Sequence, residues 1–203
     1  MRGKFITFEG SEGCGKSTQS RLLYKYLKSK GYNVVYLREP GGTRISEKLR
    51  SLLLDPANHI SPVCETLLYM AARAQVVNDI VKPAIIKGRI VVCDRFLDST
   101  LAYQGYGLGI DIDFIKKIGA FASAGIKPNL TILLDLPVKK RLKHREAYRD
   151  RIEQRNFRYH FRVRRGYLKL GAQEPERIKI VKVDKDKSET QQKIRKIVEK
   201  YVL

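Results

Sequence analysis

The densest chemistry in this chain lies in eight consecutive residues near its start. Gly10-Ser11-Glu12-Gly13-Cys14-Gly15-Lys16-Ser17 carries the spacing G-x-x-x-x-G-K-[ST], after the apolar run Phe5-Ile6-Thr7-Phe8 and before a segment with helical periodicity. Glycines so placed let successive backbone N–H groups turn inward, and a helix N-terminus adds partial positive charge. Lys16 would then reach the β- and γ-phosphates of a nucleoside triphosphate, and the Ser17 hydroxyl would ligate Mg²⁺. Gly10, Ser11, Glu12, Gly13, Cys14, Gly15, Lys16, Ser17 and Thr18 are the residues expected around ATP. The alternative is a glycine turn that only caps a helix, but a chance match in a chain of this length is on the order of one in a hundred.

Ile90-Val91-Val92-Cys93-Asp94 is an apolar run ending in a carboxylate, which makes Asp94 the expected partner of Ser17 in the Mg²⁺ shell. Arg95 follows at once, a cation suited to a second phosphate. Arg38-Glu39-Pro40-Gly41-Gly42-Thr43 places Arg38 after another strand-like run, and Arg73 stands four residues beyond Tyr69, on one helical face. Three arginines and an aromatic could form a pocket for a phosphorylated base, although an aromatic on a helix is more often core. The guanine-reading Asn-Lys-x-Asp of GTPases is absent from the sequence.

These residues need a scaffold that brings strand ends together. Short β-branched runs at Phe5–Phe8, Val34–Leu37, Ile90–Cys93, Leu130–Leu134 and Ile178–Val181 alternate with helical patterns, among them a long one from Glu65 to Lys87. Strands alternating with helices imply βαβ units, hence an α/β fold whose parallel sheet has helices on both faces and sites at the strands' carboxyl ends. The first four strands read as buried on both faces. Tyr103–Gly109 reads as an ordered glycine-rich loop. The 203 residues suggest one domain, 1–203. No window is long and apolar enough for a membrane span, and Cys14, Cys64 and Cys93 form no paired framework, so a reduced, cytoplasmic protein is expected.

In sequence order, the motifs resemble those of the thymidylate kinases, from Phe5 to about Val183. They are Gly10–Ser17, Arg38–Thr43, Tyr69-Met70-Ala71-Ala72-Arg73-Ala74-Gln75, Asp94-Arg95-Phe96 with Ser99, Ala102-Tyr103-Gln104-Gly105, and Asp150-Arg151-Ile152-Glu153. The resemblance implies a three-layer P-loop kinase fold with about five parallel strands and a basic lid. The activity it implies is transfer of the ATP γ-phosphate to dTMP, giving dTDP and ADP for dTTP biosynthesis, with Mg²⁺. It implies that Tyr69 stacks on thymine, Arg73 bonds a base carbonyl, and Arg38 and Arg95 hold the acceptor phosphate, with Ser99 in the same subsite. By the same resemblance Tyr103 occupies the place of a ribose 2′-hydroxyl, Gln104 faces the base, Glu12 approaches the 3′-hydroxyl, and Pro40 is cis. It also implies a homodimer packed through long helices such as Glu65–Lys87. Two departures stand out. Tyr69 replaces a phenylalanine common among relatives, and Gly13 stands where some carry an arginine in the phosphate loop.

The transition-state cation must then come from elsewhere, and the charge pattern suggests where. The chain has 41 Lys and Arg against 21 Asp and Glu, a formal charge of +20, and residues 139–169 alone hold 13 basic and 3 acidic side chains. Within a lid at about 141–155, Arg145, Arg149 and Arg151 are the candidates, in a segment that also contains Arg141; such a cation can contribute roughly 10³–10⁵ in rate. Arg155 to Lys169 reads as a helix whose arginines are mostly solvated, with Phe157, Phe161, Tyr167 and Leu168 as partial core. His59, His144 and His160 read as surface or capping residues. Other acceptors, either nucleosides or other monophosphates, remain the enzyme alternative. A nucleic-acid-binding protein with an ATP switch is the alternative from another class; no nucleic-acid partner is expected, because aromatics are not interleaved with the charges.

Overall fold

The computed structural model describes residues 3–137 and 150–202. Five parallel strands form one sheet in the order β2-β3-β1-β4-β5: β1 (Lys4–Gly10), β2 (Val34–Arg38), β3 (Ile90–Asp94), β4 (Leu130–Asp135) and β5 (Ile178–Lys182). The register sets Phe8 beside Asp94 and beside Ile132, so β1 is the central strand. β1, β3 and β4 are buried nearly end to end, as a sheet covered on both faces requires. β2 differs from expectation. It is an edge strand, with Val35 and Tyr36 half-buried and Arg38 exposed, because the order of the sheet leaves it one neighbour only.

Helices α1 (Lys16–Ser29), α2 (Arg44–Leu54), α3 (Pro62–Val76), α4 (Lys82–Ile86), α5 (Leu97–Thr100), α6 (Ile112–Ala122), α7 (Phe157–Gln173) and α8 (Lys187–Tyr201) surround it. On one face, Leu23 and Leu27 of α1 and Ile194 and Val198 of α8 pack on Ile6, Phe8 and Ile132. On the other, Val76 and Val77 meet Phe5 and Val91, while Leu133 joins Tyr159, Val163 and Tyr167. The long pattern from Glu65 to Lys87 is one continuous helical path in which a π-helical turn, Val77–Val81, joins α3 to α4. Ser61 caps α3 through the Cys64 N–H, with Pro62 in the first turn.

The glycine-rich stretch expected as a loop is a second π-helical segment, Leu101–Gly107. Its glycines serve close packing rather than a turn. A Cβ on Gly107 would lie 2.6 Å from the Tyr159 ring of α7. The basic helix has the mostly solvated arginines expected of it, with Arg158, Arg162 and Arg165 exposed, though two of its arginines also reach back to the fold. Arg162 donates to the Gly107 carbonyl at 2.7 and 3.0 Å, Arg164 pairs with Asp135, and His160 is buried against the core rather than placed at the surface. Phe157 and Phe161, read as partial core, stack on each other and remain 45% exposed.

Of the expected lid, residues 141–149 lie outside the described residues, Arg141, Arg145 and Arg149 among them. Among the described residues, no helix is long and apolar enough to cross a membrane.

Candidate active site

β1 ends in Gly10, whose φ of +137° and 2.4 Å approach of a would-be Cβ to the Leu134 carbonyl admit only glycine. The chain then loops through Gly13 and Gly15, both left-handed, into α1. No side chain caps the first turn of α1, so its N–H groups face the loop's concavity, ready for an anion. Lys16 curls over the loop and donates to the Ser11 carbonyl at 2.8 Å, with Cys14 Sγ at 3.9 Å. Burial pushes the Cys14 thiol up, against the lowering that a helix N-terminus could give.

At the end of β3, Asp94 accepts from the Ser17 hydroxyl through Oδ2. Its Oδ1 is buried with no hydrogen-bond partner among the described residues. An orphaned carboxylate oxygen beside a hydroxyl, at the mouth of a phosphate loop, is the donor set Mg²⁺ takes when nucleotide phosphates and water complete its octahedron. The residues therefore fit the metal.

Arg95 has φ +75°, a left-handed conformation that costs a non-glycine residue on the order of 1–3 kcal/mol. That geometry turns its side chain across the carboxyl end of the sheet. Nη2 donates to Glu12 Oε1 at 2.5 Å and to the Tyr103 hydroxyl at 3.2 Å. Nη1 reaches Ser99 Oγ at 3.0 Å, Tyr167 at 3.2 Å and the Gly10 carbonyl. Burial works against the guanidinium's charge, but Glu12, Tyr103 and Tyr167 outweigh it and hold the group protonated. Beneath it lies Glu9, fully buried. It accepts from Phe96 N–H at 2.7 Å, Ser99 Oγ at 2.6 Å and the Tyr167 hydroxyl at 2.9 Å.

α3 presents Glu65, Tyr69 and Arg73 at intervals of four, one face turned to the same space. Arg73 is 2% exposed. It pairs with Glu39 at 2.9 Å, donates to Thr100 Oγ1 at 3.1 Å and lies over the Phe96 ring. Burial raises Tyr69, with Glu65 adding to the effect. The Glu39–Pro40 bond is cis, and Arg38 stands at the rim, loosely paired with Glu47 at 3.4 Å.

These groups surround a cavity of about 690 Å³. Of the residues singled out in the sequence, its lining includes Glu12, Gly13, Gly15, Lys16, Ser17, Thr18, Arg38, Pro40, Tyr69, Arg73, Asp94, Arg95, Ser99, Tyr103 and Gln104. Gly10, Ser11 and Cys14 shape the loop from behind without lining it. Arg151 does not line it either. Its N–H and Nε donate to the Leu54 and Leu53 carbonyls, and its guanidinium pairs with Glu65 at 2.6 Å. The lining also contains residues to which the sequence reading assigned no role: Glu39, Asp150, Ile152 and Glu153, which stood only within the quoted motifs, and Arg50 and Thr100, which stood in none. Glu39 could have been found from its place between Arg38 and Pro40. Arg50, which donates to the Pro40 carbonyl at 3.0 Å, gave no signal beyond a helical arginine.

One space thus joins a triphosphate cradle to a pocket of four arginines, two tyrosines and a glutamine amide. Comparison with known proteins agrees with that pairing. The family described as thymidylate kinase matches residues 8–194. A thymidylate kinase of Thermoanaerobacter sp. (strain X514) is 44% identical over 203 residues, covering all of both chains, and one of Geotalea daltonii is 49% identical over 88% of each. The crystal structure of the Ehrlichia chaffeensis thymidylate kinase superposes with a TM-score of 0.82 at 32% identity, over 98% of this chain and all of the other. With motifs, sheet order and cavity all in agreement, the chain belongs to the thymidylate kinase family, ATP:dTMP phosphotransferases among the nucleoside-monophosphate kinases.

Proposed function

We propose that the cavity binds ATP and dTMP end to end and transfers the γ-phosphoryl group between them, with the residue roles that follow. The observation that carries this reading is Arg95, strained and half-buried at the boundary between the phosphate loop and the base pocket, within reach of both. Arg95 and Arg38 hold the acceptor phosphate, and a planar guanidinium can grip it at two oxygens. Glu12, fixed by Arg95 and Tyr103, meets the sugar's 3′-hydroxyl. Tyr69 stacks on the base, an interaction worth about 1–3 kcal/mol.

On the donor side, loop amides and Lys16 take the β- and γ-phosphates, while Ser17 and Asp94 would hold Mg²⁺. When bound, the metal neutralises charge developing on the transferring group and orients the phosphates. Because Arg151 is committed to Glu65, the lid cation comes from Arg145 or Arg149; alanine at both should lower kcat at least tenfold while leaving dTMP affinity close to its starting value.

A homodimer through α3 fits its outer face, where Val63 is 54% and Leu67 49% exposed and Ala71 and Ala74 are exposed as well. The three cysteines are free, in keeping with the reducing cytoplasm.

ADP release measured across dTMP, dUMP, dCMP, AMP and thymidine tests the reading. Turnover led by dTMP supports it, and an equal or higher rate with thymidine would refute the role of Arg38 and Arg95.

A further inference from the structure

Glu65 is wholly buried, yet it carries a carboxylate into the wall behind the base pocket. Three groups converge on it. Arg155 donates to Oε2 at 2.6 Å and to Oε1 at 3.2 Å, and Arg151 lies 2.6 Å from Oε2 as an ion pair without hydrogen-bond alignment. The third is Gln104, whose Nε2 donates to Oε1 at 2.8 Å. A carboxylate can only accept, so the nitrogen end of the Gln104 amide must face it. The amide oxygen is then the end left for the cavity that Gln104 lines. Gln104 is itself 2% exposed, and its backbone is held in the π-helical turn, so the amide has little freedom to choose otherwise.

We propose that Glu65 is a specificity-determining positioning residue. By fixing the sense of the Gln104 amide, it makes the pocket present an acceptor and so selects a pyrimidine with an N3–H donor over one whose N3 is an acceptor. This rests on the dTMP reading above. Thymine and uracil satisfy the acceptor; cytosine would oppose a lone pair to the amide oxygen. The two arginines keep Glu65 in place and leave its Oε1 facing Gln104.

The test is Glu65→Gln, an isosteric change. Arg151 and Arg155 then claim the new carbonyl oxygen, and the new amide nitrogen faces Gln104, which satisfies it by turning its own oxygen round and its NH₂ toward the ligand. The ratio of kcat/KM for dTMP over dCMP should fall roughly tenfold to a hundredfold, the range set by an opposed rather than satisfied polar group. Glu65→Asp, which keeps an acceptor-only group, should largely restore the ratio. A merely structural role would lower both substrates together and leave the ratio unmoved, and that result overturns the inference.

Should Glu65→Gln fail to fold, the wild-type protein gives a second readout. The N3 imino proton of bound dTMP should be protected from solvent exchange; an unprotected proton would equally overturn it. Wild-type protein that turns over dTMP while either readout fails sinks this inference alone, whereas absent turnover sinks the reading beneath it.

Discussion

Replacing Glu9 with Gln removes a titrating group from the floor of the site while keeping its shape. Burial pushes the Glu9 carboxyl up from the usual 4.5 to about 7; Asp98 adds to the rise, and Arg95, Ser99 and Phe96 N–H oppose it. The folded protein therefore holds this proton more tightly than the unfolded chain does. The stabilisation is fully present below pH 4.5 and is lost as pH rises through about 7. At 1.36 kcal/mol per pH unit, that interval amounts to about 3 kcal/mol. For a chain of this size, each 1 kcal/mol moves Tm by roughly 2–4 °C, so the Glu9 contribution should be roughly 6–12 °C between pH 5 and 8. In Glu9→Gln, the amide oxygen can keep the Phe96 N–H, and the Ser99 and Tyr167 hydroxyls can rotate to accept from the amide nitrogen. The difference in Tm between wild type and variant, followed by calorimetry across that pH range, isolates Glu9 from every other titrating group. The wild type should lose ground to the variant as pH rises. A difference that stays constant from pH 5 to pH 8 would refute the reasoning.

Arg73→Met would leave Glu39 buried without its cation, at a cost of about 3–5 kcal/mol at pH 8 in urea unfolding. Because burial already raises Glu39, part of the loss should return at pH 5; an unchanged midpoint would contradict the pairing. Gly10→Ala drives a Cβ against the Leu134 carbonyl and should displace the loop enough to lower kcat/KM for ATP about a hundredfold, which steady-state kinetics would show. Arg95→Lys gives up bidentate contact and should weaken dTMP binding roughly tenfold to a hundredfold by calorimetry, with ATP affinity nearly unmoved.

What the sequence revealed follows the range of the interactions involved. The phosphate loop, the five strands and the carboxylate ending β3 are set by residues adjacent in the chain, so spacing exposes them. The acceptor pocket joins β2, α3, β3 and the π-helical turn, and no spacing links Arg38 to Gln104; motif resemblance supplied that link. Two other misreadings share this cause. Val34–Leu37 is apolar enough for a central strand, and only the order of the sheet makes it an edge. Tyr103–Gly109 is glycine-rich enough for a loop, yet the close approach of α6 to Gly105 and of α7 to Gly107 makes those two glycines helical packing residues, while Gly109 keeps the left-handed turn. Glu65 had a detectable signal, a carboxylate four residues before Tyr69 and eight before Arg73 on a largely apolar helix. Its partners, Gln104 in the π-helical segment and Arg151 and Arg155 within the basic block, were out of local view.

β1 runs directly into the phosphate loop, so Glu12, proposed to meet the acceptor's sugar, and Gly10 and Lys16, proposed to belong to the donor's cradle, lie within seven consecutive residues. No joint separates the two proposed halves of the reaction in this loop, so their spacing is covalent and cannot be tuned on one side alone. Attempts to redirect such an enzyme to a new acceptor by altering the end of β1 would degrade the donor as well. Substitutions in α3 and in the π-helical segment Leu101–Gly107, which line the proposed base pocket but form no part of the triphosphate cradle, are the route that leaves the in-line distance intact.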